Sequence, residues 1–273
     1  MTFYEIIKKA IMMNCTFPLE TDCSTPAHLI PLPENNFLLY IPDGVTNFSG
    51  VTNVNNSISY IIYNINRNIE CSNKVNTFYI IGGKDVVGLH MLFINLDIKT
   101  VDLTYFNPKH LLCLDHTFYR CMIGNIVFGN FNKSYISSLN AAFSFLETGT
   151  LNLSGFDTSH VTIFQNTFNN LVADKLVIDN FTSSSAKIAD DMFKNAKINS
   201  PVNFEKFKFG SFIKDEMFTS AMIPEIKLNH DTIVENIKNT IFSGHMIQKV
   251  TGVSEEVKQY FDSYKLKINE QGA

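Results

Sequence analysis

The chain has 273 residues, 45% of them hydrophobic, which is enough to bury a sizeable core in one or two domains. A net charge of −4 and a pI near 6.0 leave no basic footprint of the kind that nucleic acid demands. Five cysteines at irregular positions are an odd number and too few for a disulfide framework, so reduced thiols in a cytosolic setting are expected.

Residues 3–13 carry Lys8 and Lys9 in their middle and so lack the uninterrupted apolar core of an export signal. Thr2 with Glu5 three residues on is instead a capping box for a short amphipathic helix. No run approaches the ~18 apolar residues of a membrane span, so none is expected. Triplets such as Asn14-Cys15-Thr16 and Asn180-Phe181-Thr182 would matter only in a glycosylating secretory pathway. Residues 14–36 hold Pro18, Pro26, Pro31 and Pro33 and read as loop, because proline removes donors and holds its neighbour extended. Asn36 to Ile41 reads as a buried strand, ended by a turn at Pro42-Asp43-Gly44. Tyr60 to Ile65 is open between strand and helix. Phe78 and Ile81 stand at the register of Leu103 and Phe106, which places a diverged first repeat here, with Asn76 where an apolar residue is due. Residues 1–77 are therefore an expected N-terminal cap.

From there the chain becomes periodic. Phe93, Phe118, Phe143, Phe168, Phe193 and Phe218 are separated by 25 residues each time. Leu103, Phe128, Leu153, Ile178 and Leu228 follow those phenylalanines by ten residues, and Phe204 by eleven. Phe106, Phe131, Phe156, Phe181 and Phe207 make a third ladder. Such a period marks a stacked repeat in which each unit buries its apolar face only against its neighbours. Each unit opens with an alternating pair, such as Leu151-Asn152-Leu153, which predicts a short half-buried strand. A polar turn follows, and then apolar residues at helical spacing, such as Val161, Phe164 and Phe168, predict a turn or two of α or 3₁₀ helix. The expected fold class is α/β: a leucine-rich-repeat solenoid over residues 78–229, each unit a short parallel strand plus a short helix.

The run Leu151 to Thr162, LNLSGFDTSHVT, followed by Phe168, resembles the L-x-L-S-x-F-x-T-S-x-V-T…M-F consensus of BspA-like leucine-rich repeats. Met192-Phe193 and Met217-Phe218 match that family's Met-Phe step, and Phe118-Tyr119-Arg120-Cys121 matches its M-F-x-x-C ending. The resemblance spans about half the chain. It implies a solenoid but no single function, since BspA-like proteins include adhesins, surface proteins and uncharacterised proteins.

After the repeats, Asp231 stands where a phenylalanine is due. Thr232 to Glu235 forms a second capping box, with Ile233, Ile237 and Ile241 along one apolar face. A further helix is expected from Ser254, with Glu255 and Glu256 in its first turn and Val257, Tyr260, Phe261 and Tyr264 packing inward. Residues 230–273 thus form an expected C-terminal helical cap.

Candidate chemistry is sparse. His110, Cys113, His116 and Cys121 are ligand types that zinc accepts. Cys121, however, shares its register with Leu96, Leu146 and Leu171 and reads as a small core residue, and His116 falls at a mostly polar register. Asp190 and Asp191 would point about 100° apart on a helix, and Gly82-Gly83 lacks the context of a phosphate loop. No catalytic, cofactor or metal site is therefore expected. The residues that point away from the core along each strand would line a concave face: Asp102, Thr104, Val127, Gly129, Asn152, Ser154, Val177, Asp179, Asn203, Glu205, Lys227 and Asn229. Such a face suits a protein partner. The expected function is a non-catalytic protein-interaction module, monomeric or a small oligomer. It would act in the cytoplasm as a phage or bacterial binder that occludes a host or rival protein. Neither nucleic acid nor membrane is an expected partner. A component of a virion or other assembly is the alternative, and an enzyme with its site in residues 1–77 a distant third.

Overall fold

The structure, a computed structural model, describes residues 2–14, 16–19, 21, 24–47, 74–129, 131, 135–213, 217–237 and 246–271. Helix α1 (Phe3–Met12) opens the chain, and its capping box forms as expected: Glu5 N–H donates to Thr2 Oγ1, and Thr2 N–H to Glu5 Oε2 at 2.7 Å. Strands β1 (Phe17–Leu19), β2 (Ala27–Leu32) and β3 (Asn36–Ile41) then form an antiparallel meander. The proline-rich stretch is therefore not simply loop. Pro31 pairs with Phe37 on one side of β2, while β1 ends opposite Leu29, so no partner strand asks for its missing donor.

From β3 onward every pairing is parallel. Strands β4 (Val75–Gly82), β5 (Asp97–Phe106), β6 (Met122–Val127), β7 (Glu147–Asn152), β8 (Val172–Val177), β9 (Lys197–Ile198), β10 (Val202–Asn203), β11 (Met222–Lys227) and β12 (Met246–Thr251) continue one 12-stranded sheet. The solenoid of 25-residue units is confirmed. Two expectations are corrected. Phe78 pairs with Val101 rather than lying level with Leu103, so Asn76 is an exposed residue and not a failed core position. The sheet also runs past residue 229, because β12 pairs with β11 through Ile223–Ile247 and Ile226–Val250.

Inside, the phenylalanine ladder is a continuous stack. Neighbouring rings of Phe93, Phe118, Phe143, Phe168, Phe193 and Phe218 lie 4.9 to 5.7 Å apart, and all are fully buried. Phe78 meets the end of the stack edge-on at 5.1 Å. The eleven-residue step to Phe204 shows up as a break in one strand: Asn199-Ser200-Pro201 separates β9 from β10, and Ser200 Oγ takes the N–H of Leu176.

The second half of each unit differs from the expected helix. It is a pair of tight turns, each holding a left-handed residue, as at His116 and Arg120, Ala141 and Phe145, or Asn166 and Asn170, with φ of 50° to 56°. A left-handed residue every fourth position stops a helix from propagating. Instead, alternate N–H groups point to the next unit: Leu89, Met91, Phe93 and Asn95 donate to the carbonyls of Cys113, Asp115, Thr117 and Tyr119. Phe164 and Phe168 keep helical spacing because each opens one of two successive turns, closed by Thr167 and Leu171 N–H. The buried Thr158 hydroxyl bridges units, donating to Thr182 O and accepting from Thr182 N–H, and Ser183 does the same to Lys208.

At the C-terminus, helix α2 (Val234–Ile237) buries Ile237, whereas Ile233 is 56% exposed and does not join its apolar face. Ile241 and the side chain of Glu235 lie outside the described residues, as does the segment 60–65. Helix α3 (Glu255–Gln271) packs Val257 and Phe261 inward with Tyr260 beside them, as expected, and Ser254 Oγ accepts from Val257 N–H at its start. The side chain of Tyr264 lies outside the described residues.

Candidate functional site

The outer face of the sheet runs across its strands, and its geometry follows from a local irregularity. In β6, β7, β8 and β11 the inward residues are three apart: Ile123 and Ile126, Thr148 and Leu151, Ala173 and Leu176, Ile223 and Ile226. The two residues between them both face outward, and Lys99, Gly124, Gly149 and Asp174 drop out of the pairing. This doublet breaks the alternation of an ordinary strand. Gly124 is required there, because a Cβ would stand 2.8 Å from Lys99 O.

The row expected from sequence therefore occupies one edge of the face rather than its middle. Val127, Asn152, Val177, Asn203 and Lys227 each end a strand, whereas Ser154, Asp179, Glu205 and Asn229 lie beyond the strand ends. Asp102, Thr104 and Gly129 flank the same edge, Asp102 and Thr104 within β5. Several of these side chains are committed to local folding: Asp102, Asn152, Asn203 and Asn229 each accept the N–H of the residue two further on. Glu205 pairs with Lys227 at 2.7 Å, and that hydrogen bond, with another from Asn203, holds its carboxyl below the usual range. Ser154 O accepts from Asn180.

What the sequence did not single out is the remainder of the face. Met122, Glu147, Val172, Lys197, Met222 and Met246 form one row in register across six strands. The apolar members are 52%, 41%, 41% and 61% exposed for Met122, Val172, Met222 and Met246. Beside them a depression of about 360 Å³ is floored by Gly124 and Gly149 and rimmed by Asp97, Met122, Glu147, Val172 and Asp174. The signal that could have found this row is a fourth 25-residue ladder, Ile98, Ile123, Thr148, Ala173, Ile198 and Ile223, which marks the buried start of each strand.

One end of the face is covered. Ile7 of α1 packs on Ile30 and Leu38, with Phe3, Ala10, Tyr40, Tyr79 and Ile81 around them. Tyr79 pairs with Asp102, so these residues belong to the same outer face as the row above. Phe3 also meets Tyr105 at 5.4 Å. Beyond Tyr105 the described residues leave the face bare.

The groups weighed for chemistry do not assemble as the sequence spacing suggested. Cys121 is a core residue: its thiol is buried against Phe93 O, and burial pushes it up to about 12. Cys113 is half-buried, and burial raises its thiol to about 11. It meets His90 and Asp115 rather than His110 and Cys121. His116 is more enclosed than its register implies, and burial, followed by the charge on His90, holds it below the usual histidine range. Asp191 pairs with Lys194 at 3.0 Å. Gly82 and Gly83, with φ of 87° and 71°, turn the chain at the end of β4, where Gly83 N–H donates to Ile41 O.

A family model described as "Mycoplasma protein of unknown function, DUF285" matches residues 88–207 and 137–260. The chain belongs to the DUF285 family. The two DUF285 matches overlap along the solenoid, as a repeat allows when one pattern fits in two registers. Together they run from the first unit after β4 into α3 and leave α1 to β4 outside. No curated protein and no solved structure matches the chain. Among the described residues, no helix is long and apolar enough to cross a membrane.

Proposed function

We propose that the protein is a non-catalytic interaction module that receives a protein partner on the strand face between Tyr105 and Met246. The observation that carries this is α1. The chain's own amphipathic helix lies on that face at one end, burying Ile7 against Ile30 and Leu38. Past it the same face continues without a covering element among the described residues, and presents Met122, Val172, Met222 and Met246 in one register row. Exposed apolar groups among charged ones are the usual makeup of a recognition surface. The resemblance of the repeats to the BspA-like family supports the same use, since stacked repeats present such a surface without needing a catalytic group. The two described cysteines are free thiols, which fits a reducing compartment such as the cytoplasm, where the protein would act by occluding its target.

The test compares proteins captured by the wild-type chain, by a Val172→Asp/Met222→Asp double variant, and by a Tyr135→Asp control away from the strand face. A partner held by the wild type and the control and lost from the double variant supports the proposal. A capture pattern identical for all three refutes it. The alternative, a component of a static assembly, predicts instead that the purified wild type forms large oligomers in size-exclusion chromatography and that the double variant does not.

A further inference from the structure

On the turn side of the first two units three side chains of different chemistry meet. His90 belongs to one unit and Cys113 and Asp115 to the next, and their ligand atoms all lie within 4.8 Å of one another. The repeat itself brings them together. Gly88 bridges to Cys113, and the N–H groups of Leu89 and Met91 donate to the carbonyls of Cys113 and Asp115, so His90 stands level with both.

The carboxylate is already oriented. Asp115 Oδ1 accepts from Ser138 Oγ at 2.5 Å and from Asn140 N–H at 3.0 Å, both on the third unit. The Cys113 thiol lies beside the same residue and accepts the Asp115 N–H at 3.4 Å. Among the described residues no lysine or arginine forms an ion pair with Asp115, although it is half-buried beside a thiol. His116 packs edge-on against His90 at 5.9 Å, and its Nδ1 is buried without a hydrogen-bond partner. A half-buried carboxylate with no lysine or arginine partner among the described residues, set against a thiol and an imidazole, is a polar site with room for a cation. The set is local to this place: the positions equivalent to Cys113 are Ser138, Ile163 and Ile188 in later units, and those equivalent to Asp115 are Asn140, Gln165 and Asp190.

We propose that His90, Cys113 and Asp115 form a binding site for one zinc-class divalent cation, with the fourth position open to water. One nitrogen, one sulfur and one oxygen are donors that zinc and cobalt accept, whereas calcium and magnesium require oxygen throughout. Bonds of about 2.0–2.3 Å set tetrahedral ligand atoms roughly 3.3–3.8 Å apart, so the cluster closes by about 1 Å on binding. His90 is exposed and can make that movement by rotating its side chain, and the same exposure provides the entry path.

The test is titration of the full chain with Co²⁺, read by the thiolate-to-cobalt charge-transfer absorption and by its loss when Zn²⁺ is added. The expected result is a band saturating at about one equivalent, abolished in Cys113→Ser and weakened by at least ~10-fold in affinity in His90→Ala and Asp115→Asn. Ser138→Ala, which frees the carboxylate, should weaken binding by roughly 10-fold. Circular dichroism checks that each variant stays folded, and His90→Ala, at an exposed position, decides the matter if Cys113→Ser does not fold. No band at saturating cobalt overturns the proposal. So does a band that persists unchanged in His90→Ala, which would place the metal on another cysteine.

Discussion

Phe143→Ala tests the spine most directly. Phe143 is fully buried, stacked 5.5 Å from Phe118 and 5.7 Å from Phe168, with ring planes inclined by only 8° and 12°. Phe128 meets it edge-on at 6.4 Å. Removing the ring forfeits about 1.5–3 kcal/mol of apolar burial. It also breaks two stacked pairs, each worth about 0.5–1.5 kcal/mol beyond burial. The sum, about 2.5–6 kcal/mol, brackets the ~3–5 kcal/mol range for truncating a buried aromatic. Because each unit touches only its neighbours, the cut also weakens the coupling between the two halves of the solenoid. Urea denaturation followed by circular dichroism should therefore show a lower midpoint and a shallower slope, as the halves begin to unfold separately. A loss below about 1 kcal/mol, far short of that range, would show that the stacked rings are not what holds the units together.

Thr148→Val should stabilise the protein by roughly 1–2 kcal/mol, because Thr148 Oγ1 is buried without a partner where other units place Ile123, Ala173 and Ile223; a loss of stability in chemical denaturation would refute this. The carboxyl of Glu225 is lowered from its ordinary value by hydrogen bonds from Thr251 and then Lys249, and that of Asp157 by Ser159 N–H. A depressed carboxyl stabilises the fold above its unfolded-state value and loses that contribution as pH falls through the folded one, so the melting temperature should drop on acidification below about pH 4. Glu225→Gln should show a smaller drop than the wild type over the same range, and an equal or larger one would remove Glu225 from the account.

The spine was legible because a ring that stacks on its equivalent in the next unit must recur at the period of the stack, as Phe118, Phe143 and Phe168 do. Leu103, Leu153 and Ile178 were legible for the same reason. The start of each strand was not, since the outward doublet at Gly124-Asn125 or Asp174-Lys175 breaks the period-two signal and hides Ile123 and Ala173. The paired turns passed for helix because they repeat every four residues and keep Phe164 and Phe168 on one side. Strand β12 was hidden by a unit one residue short, Ile247 lying 24 residues after Ile223. His90 is invisible to local ligand spacing, which spans only a few residues around Cys113, whereas a solenoid makes neighbours of residues about one period apart.

These misses share a physical cause that bears on function. Positions that recur at 25 residues are spent on folding: the rings, the inward aliphatics, the hydroxyls of Thr158 and Ser183 that bridge units, and the aspartate and asparagine side chains that close turns. A partner or an ion is recognised by what differs between units. Met122, Glu147, Val172, Lys197 and Met222 share one register, yet they range from apolar to either charge, as expected where stacking imposes no requirement. The same holds on the turn side, where among the described residues only the first units combine an imidazole, a thiol and a carboxylate. Substitutions at these outward positions should therefore separate binding from stability, which no change along the spine can do.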